Sequence, residues 1–113
     1  MTTTLEGLTL IGHIAVDSGQ AMVGDPCYLD GWEPWVESVD SFDEHVNKKG
    51  QYGYLGACNA TITEGFGQLG SADAVVFSTG YGDGLYPVYA KLNGDARVDM
   101  VVIDFMGSLS SDE

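Results

Sequence analysis

A glycine-rich segment between apolar residues constrains the fold of this chain more than any other feature. Gly80, Gly82 and Gly84 stand within five residues, between an apolar stretch and a Leu-Tyr-Pro-Val-Tyr stretch. Glycine reaches positive φ and lets a backbone approach other groups closely. Such a segment breaks a helix and is typical of a tight loop between two strands. Asp83, between two of these glycines, is predicted to lie at the tip of the loop.

Short β-compatible segments separated by turn sequences recur along the chain. Strands are predicted in segments 8–16, 21–23, 51–63, 74–79, 85–92 and 97–105. The Asp-Ser-Gly-Gln sequence at 17–20 predicts a tight turn, so that 11–24 forms a hairpin. Asn-Gly-Asp at 93–95 predicts a second hairpin. The strand after it is apolar on both faces, and we expect it to be central in its sheet.

One helix is predicted, from Phe42 to the lysines before Gly50. Ser41 and Glu44 have the spacing of a capping box, and apolar residues recur every three to four positions. A longer helix that begins at Pro34 is the alternative. The pattern as a whole predicts a mainly β fold, an antiparallel sandwich or partly open barrel of about seven strands with one short helix.

The length of 113 residues is that of one domain, spanning 1–113, with an apolar fraction of 44% to form its core. The polar ends, 1–7 and 107–113, are predicted to be flexible.

The charge of the chain is strongly unbalanced. There are 17 acidic residues and 4 lysines and arginines, which gives a formal net charge of −13. Phosphate contacts need basic side chains, so direct binding to a nucleic-acid backbone is excluded, as is docking on an anionic membrane. The charge is compatible with a basic protein partner, with divalent cations or with solubility alone.

The cellular compartment is predicted from what the chain lacks. Its first residues show no basic and apolar signal sequence, and no run approaches the ~20 apolar residues of a membrane span. We therefore expect a cytoplasmic protein in which Cys27 and Cys58 are reduced. A disulfide between them is the alternative if the protein is exported, and their spacing makes a weak case for zinc.

Two motifs give the chain a family resemblance. Gly-Asp-Pro-Cys-Tyr stands at 24–28 and Gly-Asp-Gly-Leu-Tyr-Pro-Val at 82–88, and the last strand ends in Ile-Asp-Phe at 103–105. This combination resembles a group of uncharacterised small β-proteins from bacteria and their phages that carry a Gly-Asp-Gly-x-Tyr-Pro-Val motif. The resemblance implies a bacterial or phage origin and carries over no catalytic residue.

The same two motifs predict a ligand site. Asp25 and Asp83 each follow a strand and a small-residue turn, and each precedes a tyrosine, so we expect them to occupy similar places. Together with Asp17 they offer oxygen ligands for a divalent cation, and the glycine loop offers backbone amides for a phosphate. The alternative is that Asp17 and Asp83 bond to their own backbone in turns. No cofactor is predicted other than this divalent cation.

Catalytic residues are not assigned. The chain contains residue types that can form a nucleophile and its base, namely Cys27 with His13 and Asp25. A second histidine, His45, stands elsewhere in the sequence. No nucleophile-elbow or catalytic-cysteine pattern surrounds them, and a buried, inert cysteine is the usual case.

The aromatic residues are the best candidates for a binding surface, because tryptophan and tyrosine dominate interface hot spots. The alternative is that the two tryptophans cover the core. The sequence favours a non-enzymatic acidic protein that binds, and in one version inhibits, a basic host protein. A small-ligand or divalent-metal module and a hydrolase are the alternatives. The predicted binding residues are Asp25, Tyr28, Trp32, Trp35, Tyr81, Asp83 and Tyr86.

Overall fold

The computed structural model describes residues 3–4, 7–34, 47–107 and 109–110. Trp35 and most of the predicted helix lie outside the described residues. The chain forms two compact units, the first made of Met1–Gly19 with Thr79–Glu113 and the second of Gln20–Ser78. A 3₁₀ helix spans Pro26–Gly31, and an α-helix, α1, spans Tyr54–Thr63. The strands are β1 (Thr3–Thr4), β2 (Thr9–Val16), β3 (Gln20–Gly24), β4 (Phe66–Leu69), β5 (Ala74–Ser78), β6 (Gly84–Leu92), β7 (Val98–Ile103) and β8 (Leu109–Ser110).

The first unit contains an antiparallel sheet in the order β2-β6-β7. A separate parallel pair joins β1 to β8. Successive side chains of the central strand β6 point to opposite faces of the sheet. Tyr86 and Ala90 are buried on the same face as Val16 of β2. This face forms the core of the unit.

The second unit contains an antiparallel sheet in the order β3-β5-β4, with α1 packed against β4 and β5. Leu69 and Val76 are fully buried between these elements. The rest of the core is supplied by Tyr52, Ala57 and Ala74, so small side chains let the helix approach the sheet closely.

The hairpin predicted at 93–95 is confirmed, since β6 and β7 pair directly across this turn. The backbone N–H of Asn93 donates to the carbonyl of Arg97 at 2.9 Å. The Asn93 side chain accepts hydrogen bonds from the N–H groups of Asp95 and Arg97. The residue with positive φ in this turn is Ala96, at 63°, rather than Gly94.

The prediction of a mainly β, antiparallel fold with a short helix is also confirmed. Among the described residues the two larger sheets contain six strands rather than seven, and neither closes into a barrel. The predicted hairpin over 11–24 is wrong, because β2 pairs with β6 and β3 pairs with β5. The nine-residue β6 offers the eight-residue β2 a longer ladder than the five-residue β3 could.

Two further predictions are wrong. The segment 51–63 contains α1 instead of a strand, because apolar and small residues occupy nearly all of its positions and carry no single period. The threonines of α1 fit the helix by bonding back, Thr61 to the carbonyl of Ala57 and Thr63 to that of Asn59. The strand after the Asn-Gly turn, β7, was predicted to be central, but among the described residues it lies at the edge of its sheet, and most of its apolar side chains are exposed.

Candidate functional site

The glycine loop, residues 79–84, is closed by hydrogen bonds between its two ends. The N–H of Gly82 donates to the carbonyl of Thr79 at 2.6 Å, which closes a four-residue turn. In return the Thr79 hydroxyl donates to the carbonyl of Gly82, also at 2.6 Å. Gly82 has a φ of +88°, which side-chain-bearing residues rarely adopt, and this explains the glycine at that position.

Tyr86 fixes the loop from the side of the sheet. Its hydroxyl donates to the same Gly82 carbonyl at 2.7 Å. Its buried ring stands edge-on to the ring of Phe105, with centroids 5.1 Å apart and planes at 87°. Met106 packs directly against Gly80, where a side chain would overlap its sulfur. The loop is therefore held at Gly80 and Gly82 by side chains from outside it.

The loop exposes the two side chains at its tip. Tyr81 is 73% exposed, the highest value among the large apolar side chains of the described residues. Asp83 is exposed as well, and none of the described residues donates a hydrogen bond to its carboxylate. Tyr86, also predicted as a binding residue, lies inside the unit and positions the loop. The fixed backbone thus presents one aromatic ring and one carboxylate to solvent.

Asp25 and Tyr28 lie at the 3₁₀ helix of the second unit. Asp25 is its N-cap, and its Oδ1 accepts a hydrogen bond of 2.9 Å from the N–H of Cys27. The sequence reasoning left such a backbone-bonding role open for Asp17 and Asp83, whereas the structure shows it at Asp25. Tyr28 and Cys27 are both exposed on this helix.

Trp32 follows the 3₁₀ helix and packs onto the core of the second unit. Its ring stands edge-on to that of Tyr52, with centroids 5.2 Å apart and planes at 81°. This is the core-covering role that the sequence left open for the tryptophans. The Tyr52 hydroxyl is buried, and none of the described residues bonds to it.

The predicted metal and catalytic groups are divided between the two units. Asp17, Asp83 and the exposed His13 belong to the first unit, and Asp25 and Cys27 belong to the second. In the described parts of the chain, no three His, Cys, Asp or Glu side chains come together as metal ligands would. His45 lies outside the described residues. None of the described helices is long and apolar enough to cross a membrane.

A polar cluster in the second unit was missed by the sequence reasoning. The Gln20 amide Nε2 donates to the Cys58 sulfur at 3.5 Å, and the Thr61 hydroxyl donates to the Gln20 Oε1 at 3.0 Å. Burial, the neighbouring Cys58 and the hydrogen bond to it raise the pKa of the Tyr54 hydroxyl. The members of this cluster that belong to α1 are Tyr54, Cys58 and Thr61, which are spaced by four and then three positions. The spacing places them on one helical face, a signal hidden by the prediction of a strand.

The chain matches one family model, described as "Protein of unknown function (DUF4241)", over residues 10–103. Comparison with curated proteins and with solved structures gave no significant match. The matched region runs from the second residue of β2 to the end of β7, and it therefore includes nearly all of both three-stranded sheets, the helix α1 and the glycine loop. The chain is a member of the DUF4241 family.

Proposed function

We propose that this chain is a non-enzymatic interaction protein of bacterial or phage origin that binds a more basic protein in the cytoplasm of a bacterial host. The observation that carries the proposal is the glycine loop, which presents the exposed Tyr81 on a backbone fixed by Thr79 and Tyr86. Inhibition of the bound partner is the activity to assay once that partner is identified.

A fixed loop favours binding because less conformational freedom is lost when a partner docks. Loops that become ordered on binding spend part of the interaction free energy on that ordering. Three hydrogen bonds already hold the Thr79–Gly82 turn, so the Tyr81 ring is displayed without this cost. Tyrosine supplies a large contact area with few rotatable bonds, and it is enriched among hot-spot residues.

Charge supports a basic partner. The chain carries a formal charge of −13, and the Asp83 carboxylate lies two residues from Tyr81 with its acceptor sites unused by the described residues. Opposite charge on a partner accelerates encounter and fixes orientation. Added salt screens this attraction, so the complex is expected to weaken as ionic strength rises.

The experiment is capture of proteins from a bacterial lysate by the immobilised chain at low and high salt, quantified by mass spectrometry. We expect a basic partner that is retained at about 0.05 M salt and lost at about 0.5 M. Tyr81→Ala should reduce its capture about 30-fold, as expected for a hot spot of ~2 kcal/mol. Asp83→Asn should weaken capture at low salt more than at high salt.

The matched control is Phe66→Ala. Phe66 is an aromatic residue of the second unit with a similar exposure, 65% against 73% for Tyr81. This variant should capture the partner as the wild type does. A partner retained equally by Tyr81→Ala, or a partner that is acidic, would count against the proposal.

We propose that this interaction needs no cofactor, because an aromatic ring and a carboxylate suffice to contact a basic surface. The divalent-cation alternative rests on Asp83, whose carboxylate retains its full capacity to accept ligands among the described residues. Calorimetry with calcium and magnesium separates the two. Heat of binding that disappears in Asp83→Asn would favour the metal site.

A further inference from the structure

The turn between β6 and β7 contains the pair Asn93–Gly94, and both residues are exposed. Asparagine is one of the thermally labile residues. The carbon of its carboxamide is an electrophile, and the backbone nitrogen of the next residue can attack that carbon and close a five-membered ring. Glycine in second place favours this attack, because it has no Cβ to obstruct the nitrogen and its backbone moves most freely.

The backbone nitrogen of Gly94 is open to solvent chemistry. A Cβ built on Gly94 meets no atom within 4 Å, so no neighbouring group covers the peptide. The backbone hydrogen bonds of the turn run from the Asn93 N–H to the Arg97 carbonyl and from the Ala96 N–H to the Asn93 carbonyl. Among the described residues, no group accepts a hydrogen bond from the Gly94 N–H. This nitrogen can therefore lose its proton without breaking a hydrogen bond of the turn.

The Asn93 side chain is held in a reactive arrangement. Its Oδ1 accepts hydrogen bonds from the N–H of Asp95 at 2.8 Å and from the N–H of Arg97 at 3.1 Å. The ring closed by the first of these bonds contains both the Cγ of Asn93 and the nitrogen of Gly94, which limits the distance between the two reacting atoms. Negative charge develops on Oδ1 as the nitrogen adds to Cγ. Two backbone donors at that oxygen stabilise the charge, as in an oxyanion hole.

We propose that Asn93 is a site of spontaneous covalent modification, at which the folded chain converts asparagine into aspartate and isoaspartate. The Gly94 nitrogen gives its proton to solvent and forms a bond to Cγ of Asn93. The Cγ–Nδ2 bond breaks, and Nδ2 takes one proton from solvent and leaves as ammonia, so that a succinimide remains. Water then adds to the ring. Opening at Cγ gives aspartate, and opening at the main-chain carbonyl carbon gives isoaspartate, with no change of oxidation state.

The two products affect the hairpin differently. Aspartate keeps the main chain unchanged and still offers an oxygen to the N–H groups of Asp95 and Arg97. Isoaspartate carries the main chain through Cβ and Cγ, which lengthens the turn and moves the carboxylate to Cα. We expect this product to weaken the adjacent Leu92–Val98 pairing, because the length of a turn sets the register of its strands. Either product adds one negative charge to the formal −13 of the chain.

The chain contains two other asparagines, which serve as internal controls. Asn47 is exposed like Asn93, but it is followed by Lys48, whose side chain obstructs the attacking nitrogen. Asn59 is only 7% exposed and lies in α1, where the backbone N–H groups are used by the helix. Asn93 is the asparagine of this chain that combines exposure with a following glycine.

The test is incubation of the purified, folded chain at physiological temperature and mildly alkaline pH, followed by peptide mass spectrometry. We expect the Asn93 peptide to gain the small mass difference between NH2 and OH, and the Asn47 and Asn59 peptides to stay intact. The rate should rise with pH, because the nucleophile is a deprotonated nitrogen. Gly94→Ala, whose Cβ has free space, should slow the reaction about tenfold or more.

The products are separated by ion exchange, and isoaspartate is identified by enzymatic methylation of its carboxylate. Asn93→Asp supplies the aspartate product directly, and it should unfold at the same urea concentration as the wild type. The isoaspartate fraction should unfold at a lower urea concentration.

The same incubation in urea, where the chain is unfolded, measures what the folded turn contributes. We expect Asn93 to react at least as fast in the folded chain as in the unfolded one. An Asn93 that reacts in urea but stays intact in the folded chain would overturn the proposal, because the turn would then protect it. A Gly94→Ala chain that reacts as fast as the wild type would overturn it as well. Neither result affects the proposed function, which rests on Tyr81 in the glycine loop and is assayed on freshly purified protein.

Discussion

The hydroxyl of Tyr86 and the carbonyl of Gly82 are joined by a hydrogen bond of 2.7 Å, and the same carbonyl accepts the Thr79 hydroxyl at 2.6 Å. One backbone oxygen therefore ties the loop both to its own first residue and to the buried face of β6. Tyr81 lies between these attachment points and points to solvent. The glycines let the backbone make this turn, and the two hydroxyls keep it there.

Removal of the Tyr86 hydroxyl should destabilise the first unit modestly. Tyr86→Phe keeps the ring against Phe105 and loses one partly buried hydrogen bond, which costs about 1 kcal/mol of unfolding free energy. The loss stays small because Thr79 still donates to the Gly82 carbonyl. Urea unfolding measures it. Tyr81→Phe, at the exposed position, serves as the control and should change stability by less than about 0.5 kcal/mol.

The turn between β6 and β7 contains a residue in an unfavourable conformation. Ala96 has a φ of 63°, where an L-residue is disfavoured by roughly 1 kcal/mol relative to glycine. Ala96→Gly should raise the unfolding free energy by about that amount. Gly94→Ala, whose added Cβ meets nothing within 4 Å, is the companion variant, and it should be neutral or slightly stabilising. A loss of stability in Ala96→Gly would show that this turn has another conformation in solution.

Gly56 lies inside α1, where propensity alone predicts that alanine would stabilise the helix by about 1 kcal/mol. An added Cβ would overlap the carbonyl oxygen of Gln51 and come within 2.8 Å of its carbonyl carbon. Backbone atoms cannot rotate away, so Gly56→Ala should cost more than about 2 kcal/mol. The free energy of unfolding of this variant is measured by chemical denaturation and compared with that of Ile62→Ala, at an exposed site of the same helix. Because alanine at the exposed site overlaps no backbone, the comparison separates the effect of packing from that of helix propensity.

Stability should fall at high pH because of Tyr54. Burial first, and then the neighbouring Cys58, raise the pKa of its hydroxyl above the usual value of about 10. Above that value the unfolded chain releases the proton before the folded chain does. The contribution of Tyr54 to the free energy of unfolding is therefore intact below about pH 10, and it is lost as the pH rises through the pKa that Tyr54 has in the folded chain. Urea midpoints measured on either side of pH 10 should decline less steeply in Tyr54→Phe than in the wild type or in Tyr81→Phe.

The parts of the fold that sequence reasoning predicted correctly depend on local chemistry. Asn93 forms its turn through its own side chain, and the β-branched run of β5 carries its strand preference in its residues. The predictions that failed concern strand pairing, which is decided by segments that are distant in the sequence. The Asp-Ser-Gly turn after β2 is a good hairpin sequence, yet β2 pairs with β6 about seventy residues later in the chain.

The helix and the site were harder to predict for related reasons. Small and apolar residues throughout 51–63 fit either a strand or a helix, and packing on β4 and β5 decided between them. The cluster around Cys58 could be found only after that helix was known. In the glycine loop the composition indicated a special backbone geometry. The partner that fixes it, Tyr86, was predicted to be at the surface, because sequence alone does not tell which face of β6 is buried.

The most direct test of the central claim is photo-crosslinking from position 81. A benzophenone amino acid replaces Tyr81 in one protein and Phe66 in another, and both are exposed to light in a bacterial lysate at low and high salt. The account predicts that position 81 crosslinks a basic protein at low salt, that the product is lost at high salt, and that position 66 gives no such product. The same products from both positions, or none from position 81, would contradict the claim that the glycine loop presents a binding residue.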